Sequence, residues 1–280
     1  MRERALAQPR GATGWWETSH GLLDVAAMAM PDLSVCVQLL IGRGRPYQGC
    51  IAKGFRFLLN HPLSAIRHPL PPSCIFPPMK LYYSRGACSL APHIILHEAG
   101  LQAELQKFDT RTRTLEGGGD FTRVNPNGYV PVLQLDDGQF LTEASVILQY
   151  LADLKPQSGL APAQGTLARY RLMEWLSFVA TELHKSFGPL FAPTTPEEYK
   201  ATVRQKLAQR LGYVDQKLAG KQYLLGDTFT VADAYLFVIV NWSRAMHVDL
   251  TAFTNLQAFQ QRVAQRPAVQ AAMQAEGLVK

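Results

Sequence analysis

Cysteine is scarce in this chain and unevenly placed. Of the four in 280 residues, Cys36, Cys50 and Cys74 precede residue 79, and Cys88 stands alone after it. No Cys-x-x-Cys pair occurs, so neither a zinc site of familiar spacing nor a dithiol redox motif is indicated, and no metal site is expected. Residues 79–280 hold a single cysteine and cannot form a disulfide of their own, which suits a reducing, cytoplasmic compartment. Long apolar runs are also missing. None reaches the ~20 residues of a membrane-spanning helix, so no membrane partner is expected. Nor is there much charge imbalance beyond the front of the chain. Residues 1–78 hold eight Lys/Arg and four Asp/Glu, whereas residues 79–280 hold 20 and 18. With no basic stripe interleaved with aromatics in those later residues, nucleic acid is not an expected partner. The remaining composition, 47% hydrophobic and 18% charged, is ordinary for a globular chain long enough for two modest domains.

The first 78 residues read differently from the rest. They hold nine of the 18 prolines, including "HPLPPSCIFPP" at 68–78, and regular periodicity is hard to sustain between such breaks. "GLLDVAAMAM" at 21–30 has the look of a signal h-region, but Asp24 and Asp32 interrupt it and no clear cleavage pattern follows. The expectation is a poorly ordered extension or a mis-assigned upstream start, with Met79 as a fresh beginning.

From Met79 the pattern becomes regular. Lys80–Tyr83 reads as a strand. Leu90, Ile94, Ile95 and Leu101 recur at helical spacing, and Gly100 is placed to end that helix. Glu104–Phe108 alternates as a second strand, and the polar, glycine-containing "TRTRTLEGGGDF" follows. Val130–Leu135 and Gln139–Leu141 flank "DDG", a hairpin signal, and Thr142 offers an N-cap for a helix to about Leu154. The order β-α-β, then β-β-α, is the thioredoxin-type plan. "KPQSGLAPAQG" at 155–165 has linker composition. Apolar spacing near 3.6 then marks helices around 166–190, 197–219, 231–246 and 256–275, the last interrupted at Pro267. In "FTVAD", Thr230 and Asp233 have capping-box spacing, with Phe229 and Ala234 at staple positions. The expected organisation is an extension at 1–78, a thioredoxin-like α/β domain at 79–158, a linker at 159–165 and an all-α domain at 166–280.

Cys88 falls where the first strand meets the first helix, beside backbone N–H groups that favour negative charge. A thiolate there can have its pKa lowered from ~8.5 to between ~3.5 and ~7.5. The competing reading is a buried, inert cysteine.

Five motifs in order, "MKLYYSRGACSLAPHI", "NPNGYVPVLQLDDG", "LTEASVILQYLADL", "ELHKSFGPLF" and "GDTFTVADAYLF", make residues 79–280 resemble the bacterial beta class of cytosolic glutathione transferases. The resemblance does not extend to residues 1–78. It implies glutathione as co-substrate, a small electrophile as second substrate, and a homodimer. Cys88 would lie beside the glutathione sulfur, His184 would act across the domain cleft, and Ser89 or local amides would be further donors to the thiolate. Tyr83 or Tyr82 could play the part a tyrosine plays in other transferase classes. Pro131 would be the cis proline that presents Val130 to the peptide backbone. The helix start at "TEAS", with Ala144, would take the γ-glutamyl carboxylate, and Glu143 the ammonium group. Arg113, with Arg111 as alternative, stands where the class usually has a lysine for the glycine carboxylate. Tyr83, Phe187, Leu190 and Trp242 are candidates for the acceptor pocket. Three departures stand out: Tyr129 in place of a common glutamine, Ala144 in place of serine or glycine, and Ser177 where a partner-subunit asparagine is usual. Each removes one hydrogen bond, ~0.5–1.5 kcal/mol. The resemblance implies glutathione conjugation, reduction or dehalogenation of small hydrophobic electrophiles. Alternatives are glutaredoxin-like disulfide exchange through Cys88 and a non-catalytic ligand-binding or regulatory role. Retention of Cys88, Pro131, Glu143 and His184 argues against the last.

Overall fold

The computed structural model describes residues 79–279. The expectations for residues 1–78, with Cys36, Cys50 and Cys74, lie outside the described residues.

Apolar alternation sets the sheet. In β1 (Lys80–Tyr83) the two central residues, Leu81 and Tyr82, are buried on opposite faces. Helix α1 (Leu90–Ala99) carries the chain over to β2 (Glu104–Asp109), which runs parallel to β1 with Leu81 opposite Leu105. A two-residue strand, β3 (Thr114–Leu115), absent from the sequence reading, folds back on the end of β2. β4 (Val132–Gln134) pairs antiparallel with the other edge of β1, and β5 (Phe140–Thr142) completes its hairpin. The sheet order is β3-β2-β1-β4-β5. Only β1 and β2 are parallel, as the single long crossover between them requires.

Helix α2 (Ala144–Asp153) packs beside α1 on one face of the sheet. Its N-cap is Glu143, not Thr142, which remains the last residue of β5. The opposite face holds a small aromatic cluster in which Phe108 and Phe121 stack with centroids 4.1 Å apart. Gly100 ends α1 in the left-handed conformation, as its position implied.

The helical part begins with α3 (Leu167–Phe178), tied back to α2 by the two-pronged Arg169–Asp153 ion pair at 2.8 and 2.9 Å. The single helix read at 166–190 is three pieces: α3, a π-helical segment at Val179–His184, and α4 (Lys185–Phe191) with Pro189 inside it. Then follow α5 (Glu197–Leu218), α6 (Val231–Ala245), α7 (Thr254–Ala264) and α8 (Pro267–Ala275). Every residue of α6 from Val231 to Val240 is buried, so this helix is the spine of the all-α part. Its start is pinned by Asp233, which accepts hydrogen bonds from Thr230 N–H (2.8 Å), Thr230 Oγ1–H (2.7 Å) and Leu224 N–H (2.8 Å). Burial nonetheless pushes the Asp233 carboxyl up to about 6, against the pull of those donors. α1 packs against α2, α6 and α8, which joins the α/β and all-α parts through one continuous apolar core.

Candidate active site

The strand-to-helix junction after β1 is a tight loop, Ser84–Ser89. Ser89 closes it: Ser84 N–H donates to Ser89 Oγ at 3.1 Å, and the same hydroxyl donates to the Ser84 carbonyl at 3.2 Å. Ser89 is fully buried and is not among the residues that line the cleft beside Cys88. Its hydroxyl is already committed to the loop.

Cys88 does face a cleft, of about 580 Å³, from a position only 7% exposed. Its Sγ–H donates to the Val130 carbonyl at 3.3 Å. Burial pushes the thiol up to about 12. The Cys88 and Ser89 amides and Lys185 pull the other way, while Glu143 adds to the rise. The amides that the junction promised are present, but desolvation outweighs them. The lowered pKa expected from the junction is therefore not found, and the group is a neutral thiol.

His184 enters the cleft at the end of the π-helical segment, a deviation that turns the following residues relative to α3. Its Nδ1 lies 2.6 Å from Tyr235 Oη on α6, and Trp242 stands edge-on to the ring at 5.1 Å. Burial, then the neighbouring Lys185 charge, lowers the imidazole to about 4. Burial likewise raises Tyr235 well above the usual phenol value. Both groups are neutral near pH 7. The phenol has no other acceptor among the described residues, so it donates to Nδ1, and His184 then carries its proton on Nε2.

The structure gathers Cys88, Tyr129, Val130, Pro131, Glu143, Ala144, His184 and Trp242 around this one cleft. The Val130–Pro131 bond is cis. Glu143 is exposed, with φ of 65°, at the N-terminus of α2. Tyr129, 47% exposed, has the Lys185 ammonium 5.6 Å from its ring centroid.

Five expected residues are elsewhere. The Tyr83 ring packs 6.0 Å from His93, not into the cleft. Phe187 and Leu190 are buried in the core on the inner side of α4; Phe187 backs Trp242 edge-on at 5.7 Å. Gly188 and Phe191 of the same helix face the cleft instead. Arg113, with φ of 60°, lays its guanidinium over Gly128 and does not line the cleft; a Cβ on Gly128 would come within 1.9 Å of it. Ser89 is the fifth, for the reason given above. The sequence reading missed Tyr235, Lys185 and Phe191. For Tyr235 a signal existed: a phenol within an otherwise apolar helical run needs a hydrogen-bond partner. A second cavity, about 530 Å³ between α3 and α5, holds none of the expected residues.

The family model for the N-terminal domain of glutathione S-transferase matches residues 86–154, and that for the C-terminal domain matches residues 178–267. Glutathione S-transferase GstA of Escherichia coli O157:H7 is 50% identical over 200 residues, which span 71% of this chain and 100% of GstA. A sphingomonad glutathione S-transferase solved in complex with glutathione is 50% identical, with a TM-score of 0.69 over 71% of this chain and all of its own. A beta-class transferase from Sphingomonas chungbukensis matches at 50% identity and a TM-score of 0.70, over the same shares.

Proposed function

The chain belongs to the glutathione S-transferase family and is an enzyme of glutathione conjugation, and we propose that it works in the cleft bounded by Cys88 and His184. Glutathione, present in the sphingomonad relative, is the co-substrate. Its γ-glutamyl end would lie at the N-terminus of α2, where free amides suit a carboxylate and the exposed Glu143 suits an ammonium group. Its backbone would run past Val130 and Pro131. Arg111 and Arg113 lie outside the cleft lining, which leaves the glycine carboxylate to amides, to Lys185 or to water. The acceptor would sit against Phe191, Trp242 and Tyr129, an apolar wall suited to a small hydrophobic electrophile.

The reaction needs an ionised glutathione thiol. Three groups reach the cleft with something to offer a thiolate: the neutral Cys88 S–H, the His184 Nε2–H, and the Lys185 charge. The carrying observation is that Cys88 is only 7% exposed and gives its S–H to the Val130 carbonyl at 3.3 Å, a setting in which burial pushes the thiol up. Such a group serves as a hydrogen-bond donor and makes a poor attacking nucleophile, because exchange proceeds through the thiolate. That weighs against disulfide exchange and for conjugation with Cys88 as a holder of the glutathione sulfur. The test compares conjugation of a chlorodinitrobenzene with reduction of a glutathione mixed disulfide. Conjugation should dominate and should fall at least tenfold in His184→Ala. Disulfide reduction as the main activity, lost in Cys88→Ala, would overturn this reading, as would a failure to bind glutathione in calorimetry.

A homodimer fits the exposed apolar residues Leu167, Tyr170 and Met173 on α3, Val146 on α2 and Leu154 at its C-cap. Sedimentation at micromolar concentration should give twice the chain mass. The single cysteine in residues 79–280 fits a cytoplasmic setting. No helix among the described residues is long and apolar enough to cross a membrane.

A further inference from the structure

The loop that carries Cys88 is held from outside the cleft by the last turn of the chain. Glu276 follows α8 and is 5% exposed, with its side chain fully covered. Its Oε2 accepts the Gly86 N–H at 2.8 Å, and its Oε1 meets His93 Nδ1 at 3.0 Å. His93 is itself buried, on the first turn of α1. Around this carboxylate the contacts repeat. The Arg85 guanidinium donates to the Gly277 carbonyl, and the Leu278 side chain would lie 3.3 Å from a Cβ on Gly86. From the other side, Trp242 Nε1–H donates to the Gly86 carbonyl at 2.9 Å. The backbone of Gly86 is thus gripped at its N–H by the tail and at its C=O by α6.

A buried carboxylate is tolerated where it is paired and hydrogen-bonded, and the partners here bracket one residue. Gly86 lies two positions before Cys88, and His93 lies five after it. A plain tie between α1 and the α8 region already exists in the Glu98–Arg266 ion pair, which touches nothing in the loop. From this placement we infer that Glu276 is a positioning residue for glutathione conjugation: through the Gly86 amide and His93 it fixes the Ser84–Cys88 loop, and so the distance from Cys88 Sγ to the glutathione sulfur. The inference rests on the reading of the cleft as the glutathione site. It predicts that the C-terminal turn, which supplies no residue to the cleft lining, sets how well glutathione is held.

The test reads Cys88 directly, by iodoacetamide alkylation resolved on its own peptide, together with the KM for glutathione and kcat. Three variants are compared with the full chain. Glu276→Ala should raise the alkylation rate of Cys88 at least tenfold and the KM for glutathione at least threefold. Glu276→Gln keeps an acceptor for the Gly86 amide and donates to His93 Nδ1 once that imidazole carries its proton on Nε2, and should restore both to within about twofold. Glu98→Gln should lower Tm while leaving both readouts within twofold. The inference is overturned if Glu276→Ala changes only Tm, or if Glu98→Gln exposes Cys88 equally. Should Glu276→Ala fail to fold, amide exchange in the unaltered chain decides. Protection of the Gly86 amide comparable to that of Leu81 in β1 supports the clamp, and exchange as fast as that of Gly117 overturns it. If the chain binds no glutathione, the functional reading fails, yet the alkylation and exchange arms still report on the clamp.

Discussion

The two walls of the cleft are made by different means. The α/β wall is largely backbone: the loop before α1, the cis Val130–Pro131 bond and the positive-φ Glu143 at the start of α2. The helical wall is mainly side chains: His184, Lys185 and Phe191 from the π-helical segment and α4, and Tyr235 and Trp242 from α6, with Gly188 as its one bare stretch of backbone. A wall of backbone turns depends on residues adjacent in sequence. A wall of side chains depends on the register of two helices and on the polar network that seats them. The first should tolerate point changes at its surface. The second should fail when its seating is disturbed.

The most severe disturbance available is Asp233→Ala. It strips the Leu224 amide, the Thr230 amide and the Thr230 hydroxyl of their shared acceptor, in a fully buried place. Leaving buried donors unsatisfied costs about 1–3 kcal/mol each, with partial relaxation, so a total loss of ~3–5 kcal/mol is expected. Urea unfolding should show it as a lowered midpoint. A loss below about 1 kcal/mol, within the range of an ordinary substitution, would mean that α6 is not seated by this network.

Next comes pH. His184 has its imidazole lowered to about 4 in the folded chain, against 6.5 when free. Between those values the unfolded chain binds a proton that the folded one refuses. The His184 contribution to stability should therefore rise with pH through this window and be lost as pH falls from about 6.5 towards 4, opposed over the lower part of it by the raised Asp233 carboxyl, whose contribution has the opposite sign. The loss is bounded at about 3 kcal/mol by the size of the shift. The same titration on His184→Gln should lack that component. An unchanged slope would show that burial in the helical wall does not hold the imidazole neutral.

Much of the α/β wall was legible in the sequence because its signals are local. The strand-to-helix junction, the Val-Pro pair, the hairpin and the helix start each occupy a few consecutive residues. Even there Thr142 was read as the cap, because its side chain is a common N-cap, whereas β5 runs one residue further and Glu143 takes the position with a φ of 65°. Ser89 was read as a donor to ligand because the sequence shows its hydroxyl but not the Ser84 backbone groups that claim it. The helical wall was less legible. His184 came from motif resemblance, but Phe187 and Leu190 were assigned to the pocket where Gly188 and Phe191 belong. The physical cause is the π-helical segment at Val179–His184, which shifts the register that a 3.6-residue period would carry forward. The chemistry at Cys88 was misread for a different reason. Amide donors follow from local sequence, but burial depends on what the rest of the chain lays over the thiol.

A smaller effect is expected from Tyr235→Phe. It deletes one buried hydrogen bond, and with it the constraint that keeps the His184 proton on Nε2. One such bond is worth ~0.5–1.5 kcal/mol net, so kcat/KM should fall roughly two- to tenfold with the fold intact. A loss confined to the KM for the electrophile would instead make Tyr235 a plain wall of the acceptor pocket.

The least effect is expected at the residue that sequence alone places at the centre of the chemistry. If Cys88 acted as a nucleophile, Cys88→Ala would abolish turnover, since no other cysteine is present in residues 79–280. Its one S–H is given to the Val130 carbonyl, and it must turn from there before it can offer a bound thiolate a weak hydrogen bond. Conjugation should then fall by no more than about threefold, at the lower end of what a single hydrogen bond contributes. Cys88→Ser, with a stronger donor in nearly the same place, should lie closer to the parent chain than Cys88→Ala does. The pair of variants separates the two roles because nucleophilicity is lost in both, whereas donation is lost only in alanine. A serine variant as inactive as the alanine variant would return Cys88 to covalent chemistry. It would also make the backbone-built wall, not the helical one, the seat of catalysis.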